Sequence, residues 1–160
     1  MSGKEVPIPL DFCERFANVR NFQELSSATV EWMQEKKKGG VERIGFVSGM
    51  VASQGPQNVK DNMQRLLDES TLLTKELNFP VFSSTEIFTS GVWERLPETQ
   101  LPKAERSPHM HQLLRDILAG GVTDIFMMPD WQQSGGATDE NNAAKELGLK
   151  IHYLPQRQRG

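Results

Sequence analysis

Glu140 and Asp116 are the side chains of this 160-residue chain whose type and spacing first suggest chemistry. They stand 140 − 116 = 24 residues apart, Asp116 late in one stretch of helical pattern and Glu140 early in the next. The strand and loop between them can fold back, so both carboxyls can meet at one pocket. Two carboxyls at one pocket suit glycosidic cleavage: one attacks or stabilises an oxocarbenium-like carbon, and the other handles protons. Spacing alone does not separate this from a plainer role. The chain has 21 Asp and Glu, and acids near helix ends commonly cap the helix or face solvent.

The segment Asp124-Ile-Phe-Met-Met-Pro-Asp-Trp-Gln-Gln-Ser-Gly-Gly-Ala-Thr-Asp-Glu140 must position the carboxyl. Its apolar run breaks at Pro129 into a polar turn with two glycines, and Asn141 to Gly148 then reads as helix. A strand that ends in such a turn and opens a helix puts backbone N–H groups beside the carboxylate. Open α/β sheets present ligand sites at the carboxyl ends of their strands in this way.

The rest of the pattern supplies the frame. Phe12, Phe16, Val19, Phe22, Leu25, Val30 and Met33, closed by Lys36-Lys-Lys-Gly-Gly40, read as one or two amphipathic helices. Strands follow at 41–49, 80–84, 123–128 and 150–154. Helices are expected from Met63 to Leu77, His109 to Ala119 and Thr138 to Leu147, with a loop from Met50 to Gln57. Thr89 to Pro108, with three prolines and no sustained period, reads as an ordered surface loop or lid. Alternating strands and helices predict an α/β fold: a doubly wound, mostly parallel sheet of four to five strands, flavodoxin- or Rossmann-like, with an N-terminal helical extension. The boundaries expected are 1–40 for the extension, 41–155 for the α/β domain and 156–160 for a loose tail.

Composition narrows the partners. A formal charge of −3 with acids and bases mixed leaves no basic stripe for nucleic acid or an anionic membrane, so a small ligand fits better. No apolar run approaches the roughly 20 residues of a membrane span, and the first residues lack the apolar core of a secretion signal. The expected location is cytoplasmic. Cys13 is the single cysteine, which excludes an internal disulfide and reads as an idle thiol. His109 and His111 point to different faces of a helix with no third ligand type beside them, so no metal is expected.

Several of these residues together resemble the nucleoside 2-deoxyribosyltransferase-like superfamily. They are Ser48-Gly49 at the end of the first strand, Asn58 at the opening of the next helix, Arg115-Asp116, and Pro129 to Glu140 followed by Ala143-Ala-Lys-Glu-Leu-Gly148. The similarity is to its branch of small domains of unknown function with the pattern W-x-x-S-x-G-A-x-x-E, here Trp131 to Glu140. It covers roughly residues 42 to 154, and only the Trp131 to Glu140 part is specific.

The resemblance implies roles. Glu140 matches the catalytic glutamate, a nucleophile in the transferases and the key carboxylate in related deoxynucleoside monophosphate N-glycosidases. Asp116 matches the aspartate that accompanies it. Ser134 and Gly136 match the loop that holds a 5′-phosphate, while Ser48, Gly49 and the loop through Asn58 would form the other wall, with Trp131 either stacking on a base or packing. The implied partner is a nucleoside or nucleotide, with no metal or organic cofactor. Relatives complete each pocket from a neighbouring subunit, so a homo-oligomer is expected, with the stripe Phe12, Phe16, Phe22 and Leu25 as its interface.

The chain departs from that family at two points. The tyrosine that orients the carboxylate near the first strand is missing; the one tyrosine, Tyr153, lies in the last strand and reads as core. The first loop lacks the arginine of phosphate-specific relatives, and Lys60 and Arg65 read as helical surface. The expected function is cleavage or transfer at an N-glycosidic bond of a nucleoside or nucleotide through Glu140. The alternative is a non-catalytic nucleotide-binding or interaction protein on the same scaffold.

Overall fold

A computed structural model describes residues 12, 14–51, 58–88 and 91–156. Cys13, most of the expected 50–57 loop and the end of the tail lie outside them. The chain order is α1 (Phe22–Lys38), β1 (Gly45–Ser48), α2 (Val59–Leu77), β2 (Val81–Ser83), α3 (Ser84–Ile87), α4 (Val92–Arg95), α5 (Lys103–Ala119), β3 (Asp124–Met127), α6 (Gly135–Leu147) and β4 (Lys150–Tyr153). Short 3₁₀ turns at Glu98–Gln100 and Trp131–Gln133 complete it.

The four strands form one parallel sheet in the order β2-β1-β3-β4. This is the doubly wound α/β architecture that the strand and helix pattern predicts. Alternation along the strands decides which helix covers which face. Val47, Val81, Phe126 and Met128 pack with Leu66 and Leu73 of α2. Phe46, Phe82, Ile125 and Met127 point the other way, into a larger core with Trp32 and Met33 of α1, Leu113 and Ile117 of α5, and Ala137 and Ala144 of α6. The chain leaves β1 toward one edge through α2 and leaves β3 toward the other through α6. The carboxyl ends of β1 and β3 therefore flank the point where the winding reverses, the usual place for a ligand crevice.

One expectation about the N-terminal region changes. The helix 22–38 packs into a layer that covers the sheet, and Phe12, Phe16 and Leu25 are fully buried, with Phe22 nearly so. Phe12, Trp32 and Phe46 all meet the ring of Phe82 edge-on, with centroids 5.2–5.8 Å apart. Such pairs add about 0.5–1.5 kcal/mol each beyond simple burial. The apolar stripe offered as a subunit interface is thus already used inside the chain.

The expected loop before residue 109 is also corrected. Within its described part Val92, Leu96 and Thr99 are buried, and α5 begins at Lys103, carrying Pro108 within it. A proline removes one helical N–H and usually marks a break. Here the packing of the downstream Leu113, Leu114, Ile117 and Leu118 against the core outweighs that local cost.

Candidate functional site

Ser48 is the last residue of β1, and its parity with Phe46 turns its side chain toward the α6 face. There its hydroxyl donates to Oε1 of Glu140, and both residues are buried, at 1% and 6% exposure. Gly49 follows because β1 and β3 close up at this point: a Cβ there would stand 2.7 Å from Met128 Cγ and 2.9 Å from its Cβ. Its part in the site is to allow that approach.

The first turn of α6 supplies the other side. Ser134 is the N-cap, and its hydroxyl oxygen accepts the Ala137 N–H at 3.1 Å. This leaves the N–H groups of Gly135 and Gly136 at the positive end of the helix. A methyl group at Gly136 would lie 3.9 Å from Glu140 Oε2, in ordinary contact with that oxygen. Burial pushes the Glu140 carboxyl up to about 8, against the hydrogen bond from Ser48 and with a further push from the neighbouring Asp139. Burial thus favours the protonated form of this carboxyl.

The structure does not bring Asp116 to this carboxyl. Asp116 is exposed, accepts from Gln112 Nε2 at 2.8 Å and lines a shallow depression with Ser26, Ser27, Val30 and Glu31 of α1. Successive helical residues point about 100° apart, and it is Arg115 that faces α6. Its guanidinium holds both oxygens of Asp139, at 3.0 and 2.9 Å, and also reaches Glu146. Arg115 thereby clamps α5 to the helix that carries Glu140.

Trp131 packs on the β4 side, where its ring lies 5.8 Å from that of Tyr153. The Tyr153 oxygen accepts from Asn141 Nδ2 at 3.2 Å, and Asn141 is buried. Glu140 and Asn141 thus leave α6 in different directions, one to β1 and the other to β4. Tyr153 is 56% exposed, a correction to its reading as core: it sits at the carboxyl end of an edge strand with one side uncovered. Asn58 stands at the head of α2 without a side-chain cap to that helix, and the loop expected to join it to Ser48 lies mostly outside the described residues.

Sequence reasoning missed two charged groups at this edge. Arg65, read as helical surface, reaches from α2 to Asp130 just beyond β3, with Nη1 3.2 Å from Oδ2. No local pattern announces a pair 65 residues apart. Glu86 is buried at the end of β2, where it accepts from the Ser83 N–H at 2.9 Å and from the hydroxyls of Ser83 and Ser70. Burial raises it to about 7 against those hydrogen bonds. The Ser83-x-x-Glu86 spacing is a capping-box signature and was open to reading.

At the opposite edge, Asp124 is fully buried between Arg43, Thr123 and His152, at 2.6, 2.6 and 2.8 Å. Burial alone would raise its carboxyl, but these three donors hold it down to about 2. This cluster ties the lead-in to β1 and the start of β3 to β4. Among the described residues no three His, Cys, Asp or Glu side chains group so as to hold a metal ion, and no helix is long and apolar enough to cross a membrane.

No curated protein and no solved structure matches the chain. Residues 75–153 match the model of a family described as a domain of unknown function, DUF4406, a span that takes in β2 through β4 with Trp131, Ser134, Gly136 and Glu140 and leaves out Ser48 and most of α2.

Proposed function

We propose that this protein cleaves or transfers the N-glycosidic bond of a nucleoside or nucleotide, with Glu140 as the reacting carboxyl. The observation that carries this reading is the placement of Glu140. It is a buried carboxyl at the switch point of a doubly wound sheet, hydrogen-bonded to Ser48, with a glycine, Gly136, beside its other oxygen. The resemblance of the Trp131 to Glu140 segment to nucleoside 2-deoxyribosyltransferase-like proteins points to the same bond.

In this chemistry an oxygen of the Glu140 carboxylate bonds to the anomeric carbon as the carbon–nitrogen bond breaks, and the base departs with the electron pair and takes up a proton. Water or a second base then releases the sugar. A carboxyl raised to about 8 must lose its proton before it attacks, so the ionised form is the reactive one. Ser48 steadies that form by donating to Oε1. No metal or organic cofactor enters these steps. The partner carboxyl implied by resemblance, Asp116, has no part in them.

A second reading has its own support. With Asp116 exposed and burial favouring the protonated form of Glu140, this sheet edge also suits a nucleotide-binding protein without catalysis. Incubation with a panel of nucleosides and 5′-monophosphates separates the two. Free base in the chromatogram supports the enzyme, whereas saturable binding with every glycosidic bond intact supports the binder.

A further inference from the structure

The helix that carries Glu140 is gripped from α5 by a side chain that the chemistry above leaves unused. Arg115 donates to both oxygens of Asp139, at 3.0 and 2.9 Å, and with its remaining terminal nitrogen to Glu146 Oε1 at 3.1 Å. Asp139 immediately precedes Glu140, so the clamp closes on the turn of α6 that aims Glu140 at Ser48. Two parallel donors from one planar group fix both distance and orientation, which a lysine cannot do. The two side chains are 33% and 21% exposed, so solvent screens the pair only in part.

We infer that Arg115 is a positioning residue for Glu140: through Asp139 it holds the turn of α6 and cancels the charge that Asp139 would otherwise set beside the reacting carboxyl, an inference that rests on the reading of Glu140 as that carboxyl. Neighbouring carboxylates repel, and Asp139 already adds to the burial that opposes ionisation of Glu140. A guanidinium on both Asp139 oxygens turns that charge into a pair with no net charge. The bonds to Asp139 and Glu146 raise Arg115 above its ordinary value, so it stays charged.

The other ionisable groups on elements packed against α6 are engaged elsewhere or lie apart. On α5, His111 stands one turn before Arg115, and Asp116 bonds Gln112 beside α1. Asp124 is held at the amino end of β3 by Arg43 and by His152 of β4. Lys150 is exposed at the amino end of β4, and Tyr153 at its other end meets Asn141. The turn Trp131–Gln133 carries no charge.

Carbon-13 NMR of glutamate-labelled protein follows the Glu140 carboxyl across pH without any ligand, its resonance being identified by its loss in Glu140→Gln. Arg115→Met strips Asp139 of its cation and should raise the midpoint of that titration by about half a pH unit or more, whereas Asp139→Asn removes the charge itself and should lower it. The double variant should return toward the wild type, and Arg115→Lys should lie between wild type and Arg115→Met. A clamp that acted only by holding the helix would move both single variants the same way. Shifts in one direction, or an unmoved midpoint in a folded Arg115→Met protein, overturn the inference. If Arg115→Met does not fold, Asp139→Asn decides alone, and a midpoint that fails to drop overturns it. Opposed shifts in a protein that releases no free base from any nucleoside overturn the glycosidic reading and leave the coupling of Arg115 to Glu140 standing.

Discussion

The hydroxyl of Ser48, at the end of the first strand, donates to the carboxyl of Glu140, 92 residues later in α6. This bond ties α6 to the end of β1 where the winding of the sheet reverses. It also opposes the burial that raises Glu140 to about 8. Ser48→Ala should therefore move Glu140 higher still. The pH at which base release reaches half its plateau should rise above that of the wild type, at a stability cost of about 1–2 kcal/mol for the lost buried bond. A pH–rate profile together with urea unfolding checks both parts.

Glu140 also predicts how stability responds to pH. Its folded value, about 8, lies above its ordinary 4.5. Its contribution is full below pH 4.5, where the carboxyl is protonated folded or unfolded. It is lost as pH rises toward 8, because the unfolded chain ionises first. Glu86 adds the same trend from 4.5 to about 7. Unfolding free energy should fall between pH 5 and 8 by on the order of a few kcal/mol, and Glu140→Gln should flatten the upper part of that fall. A wild-type curve level across this range, followed by urea unfolding, counts against a protonated buried pair.

Asp124 has the opposite sign and lies at the other edge. Its folded value, about 2, is below its ordinary 3.8, so its contribution is present above pH 3.8 and is lost as pH falls through 2. Asp124→Asn should cost about 2–3 kcal/mol at neutral pH, less than for a fully buried ion pair because Arg43 is partly exposed. Ligand binding at the carboxyl edge should persist in the folded variant, as calorimetry beside thermal melting will show.

Two glycines should part company. Gly49→Ala brings a methyl group within 3 Å of Met128 and should destabilise by about 1–3 kcal/mol through overpacking. Gly136→Ala meets only ordinary contacts and should fold within about 1 kcal/mol of the wild type. It nevertheless fills the space beside Glu140 Oε2, so nucleoside affinity should drop. Melting and titration on both variants decide the matter.

Much of the frame was legible because periodicity survives in short segments. The alternation of strands and helices follows from residues such as Phe46, Val47, Ile125 and Phe126, whose neighbours face opposite cores. Glu140 was legible through the glycine turn before it. Asp116 was not, because a spacing of 24 residues leaves open which face of a helix a side chain occupies, and a shift of one residue exchanges Asp116 for Arg115. Pro108 misled because a local breaker says nothing of the packing that overrides it. The Arg65–Asp130 pair depends wholly on how α2 crosses the sheet, which no local pattern records. Asp116→Asn puts the corrected face to the test: with its side chain in solvent, base release should stay within about twofold of the wild type.

The central claim is that the Glu140 carboxyl reacts at the anomeric carbon. Its most direct test is free base released from a nucleoside panel by the wild type and by Glu140→Gln, measured side by side near pH 8 with both proteins shown to be folded. The account predicts release by the wild type and a loss of about three or more orders of magnitude in the variant, since an amide cannot supply the attacking oxygen. Equal release by the two proteins, or none by the wild type from any nucleoside, would contradict it.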